Sequence, residues 1–427
     1  MVYNFDKIID RKGTGAVKFD AIEKVFGKDD MLPLWVADMD FYAAPLIYES
    51  VNRKAKHGVY AYSFVNDEIF DSYINWWKKY GLHMKKEELL FATGVMPSIT
   101  SIIRAFTDVG DNVLIQTPVY HVFFYVIEDN DRNVVENQLI YNPNSNDVET
   151  AYAIDFDDLE EKFKDPKTKL MLLCNPHNPI GRIWDEKTLA KIAVLANKYN
   201  VIVVSDEIHC DLVDPDLSYV PFASLGDELS MNSITCISPS KTFNIAGLQS
   251  SAVFTRNKEL YEVLEKQLSV DCFNHPNIFS IDATIAAYKS EDWLNELREV
   301  LFENKMIVDE FLKINLEESR GKKLKEVVAT IQKEQNDIIR WPKNLPIIVQ
   351  GSAGSGKTTI ALHRLAYLLY RYRESMEGKD ILVLAPNKLF LDYISDILPT
   401  LGSNDVKQTT FQELVMKTLK LKGKIKK

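Results

Sequence analysis

Short apolar runs alternate with longer amphipathic stretches through roughly the first two thirds of the chain. Val113–Gln116, Leu170–Leu173, Val201–Ser205, Ile234–Ile237 and Ser251–Thr255 are apolar without a period-two break, the mark of strands covered on both faces. The stretches between them return apolar residues at helical spacing. Such alternation predicts an α/β fold: a mostly parallel sheet covered by helices, over residues 46–290. Residues 1–45 form a polar arm (Asp6, Arg11, Lys12, Gly13, Gly15) punctuated by Pro33 and Pro45, expected to begin a smaller domain. Asn142–Asn146 reads as a loop, and Glu291–Phe311 as a long helix leaving the sheet domain.

Polar chemistry gathers at the carboxyl ends of three apolar runs, where open α/β sheets place their ligands. Val201–Ser205 leads into Asp206 and His209. Leu170–Leu173 leads into the turn-forming CNPHNPIGR of Cys174–Arg182, which holds Asn178. Ile234–Ile237 leads into SPSKTFNIAGL, Ser238–Leu248, which holds Lys241. A lysine delivered into a crevice by a buried strand loses hydration, its pKa falls, and the neutral amine can attack a carbonyl. Taken alone, Lys241 also fits a solvated loop lysine, and Asp206 also fits a helix N-cap. Together, an acid for a protonated pyridine nitrogen, an amide for a phenolate oxygen and a lysine for an aldehyde describe a pyridoxal 5′-phosphate (PLP) site.

Three further stretches are LPLWVADMDF at Leu32–Phe41, GVMPSI at Gly94–Ile99 and TPVYHVF at Thr117–Phe123. In order and separation, all six resemble the MalY/PatB-type cystathionine β-lyases, a C–S lyase branch of the aspartate aminotransferase fold (PLP fold type I). The resemblance covers residues 1 to about 316. It implies that Lys241 bonds the cofactor and is the catalytic base, that Asp206 pairs with the pyridine nitrogen and that Asn178 meets the phenolate oxygen. Tyr120 would stack on the ring. The backbone N–H groups of Val95 and Met96, opening a helix after Gly94, would cradle the phosphate, with hydroxyl contacts from Ser238 and Ser240. Tyr62 resembles a tyrosine that reaches the phosphate of a neighbouring subunit, which implies a homodimer. His209 stands where related aminotransferases place a tyrosine; contact with the phenolate oxygen and simple packing both fit it. Ile180 replaces the threonine usual in the family. The implied reaction is β-elimination on L-cystathionine or other cysteine S-conjugates, giving thiol, pyruvate and ammonia. A PLP-dependent aminotransferase uses the same residues and is the alternative.

Composition narrows the setting. The 427 residues, 46% of them hydrophobic, suit a globular chain of two or three domains. No apolar run approaches the roughly 20 residues that span a bilayer, and MVYNFDKIID lacks a signal-peptide core. The four cysteines are scattered without a CxxC pair and the seven histidines without HExxH, so a reduced, cytoplasmic protein is expected.

Charge divides the chain. Residues 321–427 carry 19 basic against 10 acidic residues; from totals of 51 and 61 that leaves 32 against 51 in residues 1–320. The basic end contains a second chemistry. An apolar run at Leu345–Gln350, expected to be a strand, leads into GSAGSGKT at Gly351–Thr358, and Thr359–Tyr370 has helical spacing. This is the P-loop pattern GxxxxGK[ST]: Gly351, Gly354 and Gly356 let backbone N–H groups approach phosphates, Lys357 reaches the terminal phosphates, and Thr358 can ligate magnesium, followed by Thr359. The stretches ATIQKEQNDIIR (Ala329–Arg340), Val349–Tyr370, Leu382–Ser395 and Gln408–Phe411 resemble HelD-type, UvrD-like superfamily 1 helicases. That resemblance implies ATP and magnesium binding, an adenine contact from Gln335, and RNA polymerase or nucleic acid as partner. Residues 317–427 are therefore expected to be a partial P-loop NTPase unit. Residues 291–316 would be an interdomain helix without the remainder of the small domain and its substrate-clamping arginine. The expectation for the whole is a C–S lyase impaired by truncation and fused to a nucleotide-binding module, with an inactive fusion or assembly product as the further alternative.

Overall fold

The continuous apolar runs become interior strands of one seven-stranded sheet. In the computed structural model, residues 3–318 are described except 144, 146 and 147. Beyond them the described residues are 338, 339, 341, 343, 345–350, 360, 361, 364, 365, 367–369, 372, 376–385, 391 and 406–419. The strands are β1 (Leu89–Ala92), β2 (Asn112–Ile115), β3 (Asn133–Glu136), β6 (Thr168–Cys174), β7 (Ile202–Asp206), β8 (Ser233–Ile237) and β9 (Ser251–Phe254). A two-stranded antiparallel pair, β4 (Ile140–Tyr141) with β5 (Tyr152–Ala153), lies apart. The sheet order is β1-β9-β8-β7-β6-β2-β3, and β9 alone runs against the others.

Each interior strand sends alternate residues to opposite faces. Leu170 and Leu172 of β6, Val204 of β7 and Ile234 of β8 pack with Ile99, Ile102, Leu264 and Leu268 of helices Val95–Phe106 and Lys258–Val270. Met171, Leu173 and Val203 face the other way, onto Leu159, Phe163, Leu189 and Ile192 of helices Phe156–Phe163 and Glu186–Tyr199. Both of those helices start on an aspartate cap: Asp155 accepts the Asp158 N–H at 3.0 Å and Asp185 the Thr188 N–H at 2.7 Å. Farther along this face, Ala252 and Phe254 of β9 meet Ile47, Tyr73 and Trp77 of helices Pro45–His57 and Asp67–Trp77. Each fully buried large side chain contributes about 1.5–3 kcal/mol, so the strand ends are held by a dense frame. Strands β1, β2, β6, β7 and β8 all finish at one edge of that frame, and the polar stretches begin there.

Two strands carry little of the signal that marks the others. β3 lies at the sheet edge with Asn133 and Glu136 exposed, so no apolar run announces it. β1 is only four residues, although all are buried. One expected strand is corrected: Leu345–Gln350 pairs with no strand among the described residues, and Leu345 and Ile348 are exposed. An apolar run becomes a strand only where a neighbouring ladder accepts its backbone groups.

Contacts divide the chain into two compact units, Met1–Phe302 and Glu303–Lys427. Helix Glu291–Glu318 runs across that division and extends past the expected Phe311. In the second unit β10 (Leu382–Ala385) pairs in parallel with β11 (Lys407–Thr410), and Thr410 caps helix Phe411–Thr418 by accepting the Glu413 N–H at 3.2 Å. Among the described residues no helix is long and apolar enough to cross a membrane, and no group of three or more His, Cys, Asp or Glu is placed to hold a metal ion. Cys174, Cys210 and Cys236 are buried free thiols and Cys272 is exposed.

Candidate active site

Lys241 stands on a turn that its neighbours pin from both sides. After β8, the Ser238 hydroxyl donates to the Ser250 carbonyl at 2.6 Å and accepts the Ser240 N–H at 3.0 Å. The main chain closes behind it: Phe243 N–H reaches the Pro239 carbonyl and Ile245 N–H the Ser240 carbonyl, both at 2.9 Å. From beneath, the Thr242 hydroxyl donates to Asp211 Oδ2 at 2.9 Å. The Lys241 amino group projects from this turn and donates to the Ala37 carbonyl at 3.0 Å. Burial pushes its pKa below the ordinary lysine value, opposed by the charges of Asp38 and Asp206.

Asp206 is the last residue of β7, between Cys174 of β6 and Cys236 of β8. Burial pushes its carboxyl up to about 6; the Ile208 N–H, 3.2 Å from Oδ1, and the charge of Lys241 pull the other way. Among the described residues no cation lies within ion-pair range of it. A protonated ring nitrogen would supply what this buried acid lacks, so the site fits PLP on its own chemistry. His209 follows in the same turn. Burial, then the positive charge of Lys241, lowers its pKa to about 4, so the imidazole is neutral at pH 7.

Asn178 enters from the end of β6, its N–H pointing to Cys174 Sγ at 3.4 Å. Tyr120, following β2, is half-buried, with its ring edge-on to His121 and Phe123. Its hydroxyl pKa is raised by burial and by the charge of Asp206, which places the two in one electrostatic neighbourhood. Gly94 ends the loop after β1 in an extended conformation and helix Val95–Phe106 starts without a side-chain cap. The N–H groups of Val95 and Met96 therefore open that helix, and a Cβ on Gly94 would press within 3.3 Å of Pro97. Ser240 is buried beside Ser238. Tyr62 lies outside helices and strands and is fully exposed, with no hydrogen bond or ring contact among the described residues. Gln335, Gly351, Gly354, Gly356, Lys357, Thr358 and Thr359 lie outside the described residues.

Several residues around the lysine carry no sequence signal of their own. Asp38 sits inside a recognised stretch but only folding brings it to Lys241, and Asn244, in the lysine's own loop, meets Met39 and Phe41 only through the fold. Glu207, next to Asp206, is fully buried; it accepts from Ser205 Oγ at 2.7 Å, from the Phe222 N–H at 2.9 Å and from the Tyr219 hydroxyl, and burial pushes it up to about 7. An acidic pair in DEIH gives no hint of which carboxylate turns inward.

The family pattern of aminotransferase class I and II matches residues 49–322. The chain belongs to that family. Cystathionine β-lyase PatB of Bacillus subtilis (strain 168) is 40% identical over 315 residues, 73% of this chain and 80% of that protein. Protein MalY of Escherichia coli (strain K12) is 31% identical over 309 residues, 71% of this chain and 76% of that protein. Among solved structures, cystalysin from Treponema denticola, which contains pyridoxal 5′-phosphate, matches with TM-score 0.70 and 32% identity over 74% of this chain and 80% of that one. This member of the aminotransferase class I and II family is accordingly a PLP-dependent enzyme.

Proposed function

We propose that this enzyme is a C–S lyase acting by β-elimination on L-cystathionine or related cysteine S-conjugates, with thiol, pyruvate and ammonia as products. The observation that carries the reading is the convergence of Lys241, Asp206 and Tyr120 at the carboxyl edge of the sheet, in a chain 40% identical to a cystathionine β-lyase. PLP, when bound, supplies an electron sink for the carbanion formed at the substrate's Cα.

The chain's own residues do the rest. Lys241, its proton affinity lowered by burial, would hold the cofactor's aldehyde and serve as the base for the substrate's Cα proton. Asp206 would keep a proton on the ring nitrogen, and pairing with that cation would return its carboxyl toward the ionised form that burial disfavours. The Asn178 amide would meet the phenolate oxygen, and Tyr120 would cover one face of the ring. The N–H groups of Val95 and Met96 would receive the phosphate at the helix start, with Gly94 leaving room for it and Ser240 beside it, the Ser238 hydroxyl being committed to the Ser250 carbonyl. A neutral His209 serves as a hydrogen-bonding or packing neighbour and not as a cation. Tyr62, wholly exposed here, serves a second copy of the chain in a homodimer.

The test is product analysis of the PLP-loaded chain with L-cystathionine. Stoichiometric pyruvate and ammonia, abolished in Lys241→Ala, support elimination; transfer of the amino group to an added oxo acid with no pyruvate would make it an aminotransferase. For residues 317–427 a second reading stands, a nucleotide-binding unit. It is favoured by GSAGSGKT and by the parallel pairing of β10 with β11. Magnesium-dependent ATP binding lost in Lys357→Ala supports it; binding indifferent to Lys357 removes it.

A further inference from the structure

The amino group of Lys241 ends on the main chain of Leu32–Phe41, a segment without helix or strand of its own. The course of such a segment depends on what ties it down, and it is tied twice. From the amino-terminal arm, Arg11 grips Asp38 at 3.0 and 2.7 Å and Asp40 at 2.7 Å, while Lys18 meets Asp40 at 2.8 Å and the Asp38 carbonyl at 3.0 Å. From the lysine's own loop comes Asn244. Its Oδ1 accepts the Met39 N–H at 3.0 Å, and its Nδ2 donates to the carbonyls of Met39 and Phe41, both at 2.9 Å. Asn244 has φ of 57°, a left-handed conformation that asparagine tolerates better than most residues.

The two ties differ in what they fix. The arm acts mainly on the Asp38 and Asp40 side chains, Asp40 being about half exposed. It touches the backbone only at carbonyls, Lys18 at that of Asp38 and Arg11 at that of Met39 at 3.4 Å; the Met39 N–H is left to Asn244. The Asn244 amide acts on the backbone on either side of Met39, two residues from the carbonyl that receives the lysine. We propose that Asn244 is a positioning residue: it locks the Ala37–Phe41 main chain to the turn bearing Lys241, so that the Ala37 carbonyl holds the lysine amine where it takes the Cα proton. The inference rests on reading Lys241 as cofactor anchor and base. Asp206 from β7 and neutral His209 face the amine whether or not Asn244 is present, and Asp38, which also faces it, is held in addition by Arg11 and Lys18. The contribution of Asn244 is therefore placement, and misplacement by about 1 Å costs a reaction on the order of 10²-fold.

Asn244→Gly in the PLP-loaded full chain isolates this effect, because glycine adopts the same φ and only the three hydrogen bonds are lost. The expected result is a fall in kcat of about 10- to 100-fold with KM for the cysteine conjugate within about twofold. The isotope effect with Cα-deuterated substrate should rise, since proton transfer becomes more limiting. In the cofactor-free chain the Met39 amide should exchange with deuterium at least about tenfold faster. Asn244→Asp keeps the acceptor and loses both donor bonds, and should fall between. Unchanged isotope effect and Met39 exchange in Asn244→Gly would overturn the inference. So would rapid exchange of the Met39 amide in the unsubstituted chain, which needs no variant. Borohydride trapping separates the underlying reading: cofactor trapped on Lys241 with an unaltered Asn244→Gly refutes only the role of Asn244, whereas no trapping at Lys241 removes the reading beneath it.

Discussion

Asp206, ending β7, and Asp211, five residues on, are both buried and both pushed upward by burial, yet they are provided for in opposite ways. Asp211 is fully served: Trp76 Nε1 at 2.9 Å, the Tyr80 hydroxyl at 2.6 Å and Thr242 Oγ1 at 2.9 Å all donate to it. Asp206 has a single N–H, from Ile208. A served acid stabilises the fold, whereas an under-served one is held ready for a ligand that brings the missing charge. Burial alone would have scored the two alike.

Substitutions should pull the pair apart. The largest effect falls on catalysis: Asp206→Asn should lower the elimination rate of the PLP-loaded enzyme by about 10²- to 10³-fold, the usual loss when one preorganised charge is removed. Steady-state pyruvate release measures it. Asp211→Ala should act on stability, because three donors, two of them buried, lose their acceptor. A loss of about 2–5 kcal/mol in urea unfolding is expected, while kcat per folded molecule falls less than about tenfold. If Asp211→Ala costs more in rate than Asp206→Asn, the division of labour is wrong.

Linkage gives a subtler difference. The Asp206 carboxyl titrates at about 6 in the fold against an ordinary 3.8. The folded state therefore keeps a proton that the unfolded chain has released. The corresponding stability is complete below about pH 4 and is lost as pH rises through about 6. At about 1.4 kcal/mol per pH unit the loss is on the order of 3 kcal/mol. Cofactor-free Asp206→Asn should thus be more stable than the parent chain at pH 8 by up to about 3 kcal/mol, with the gain vanishing near pH 4. Thermal unfolding at the two pH values checks this; equal gains at both would show that ionisation is not the cause. The smallest effect is expected at His209. If the neutral imidazole contacts the phenolate oxygen, His209→Phe should shift the visible absorbance of the bound cofactor and lower kcat by no more than about tenfold. An unshifted spectrum assigns it to packing.

How far these features were legible depended on their range along the chain. The sheet and its polar edge follow from local rules: continuous apolar runs make covered strands, and Asp206, Asn178 and Lys241 each directly follow one. β3 escaped because an edge strand with Asn133 and Glu136 exposed carries no apolar run. Leu345–Gln350 misled for the converse reason, since an apolar run says nothing of whether a partner strand exists. Least legible were the ties made by folding. Asn244 meets Met39 across 205 positions, and Thr242 meets Asp211 across 31. Neither spacing leaves a periodic trace. Ser238 shows the same limit: its hydroxyl type suited a phosphate contact, and the fold spends that hydroxyl on the Ser250 carbonyl.

The central claim is that one amine, Lys241, bonds the aldehyde cofactor. Purified chain loaded with PLP, reduced with borohydride, digested and read by mass spectrometry tests it most directly. A single modified peptide carrying the pyridoxyl mass on Lys241, absent from Lys241→Ala, is expected; a label on other lysines, or one that survives that substitution, would contradict this role of Lys241.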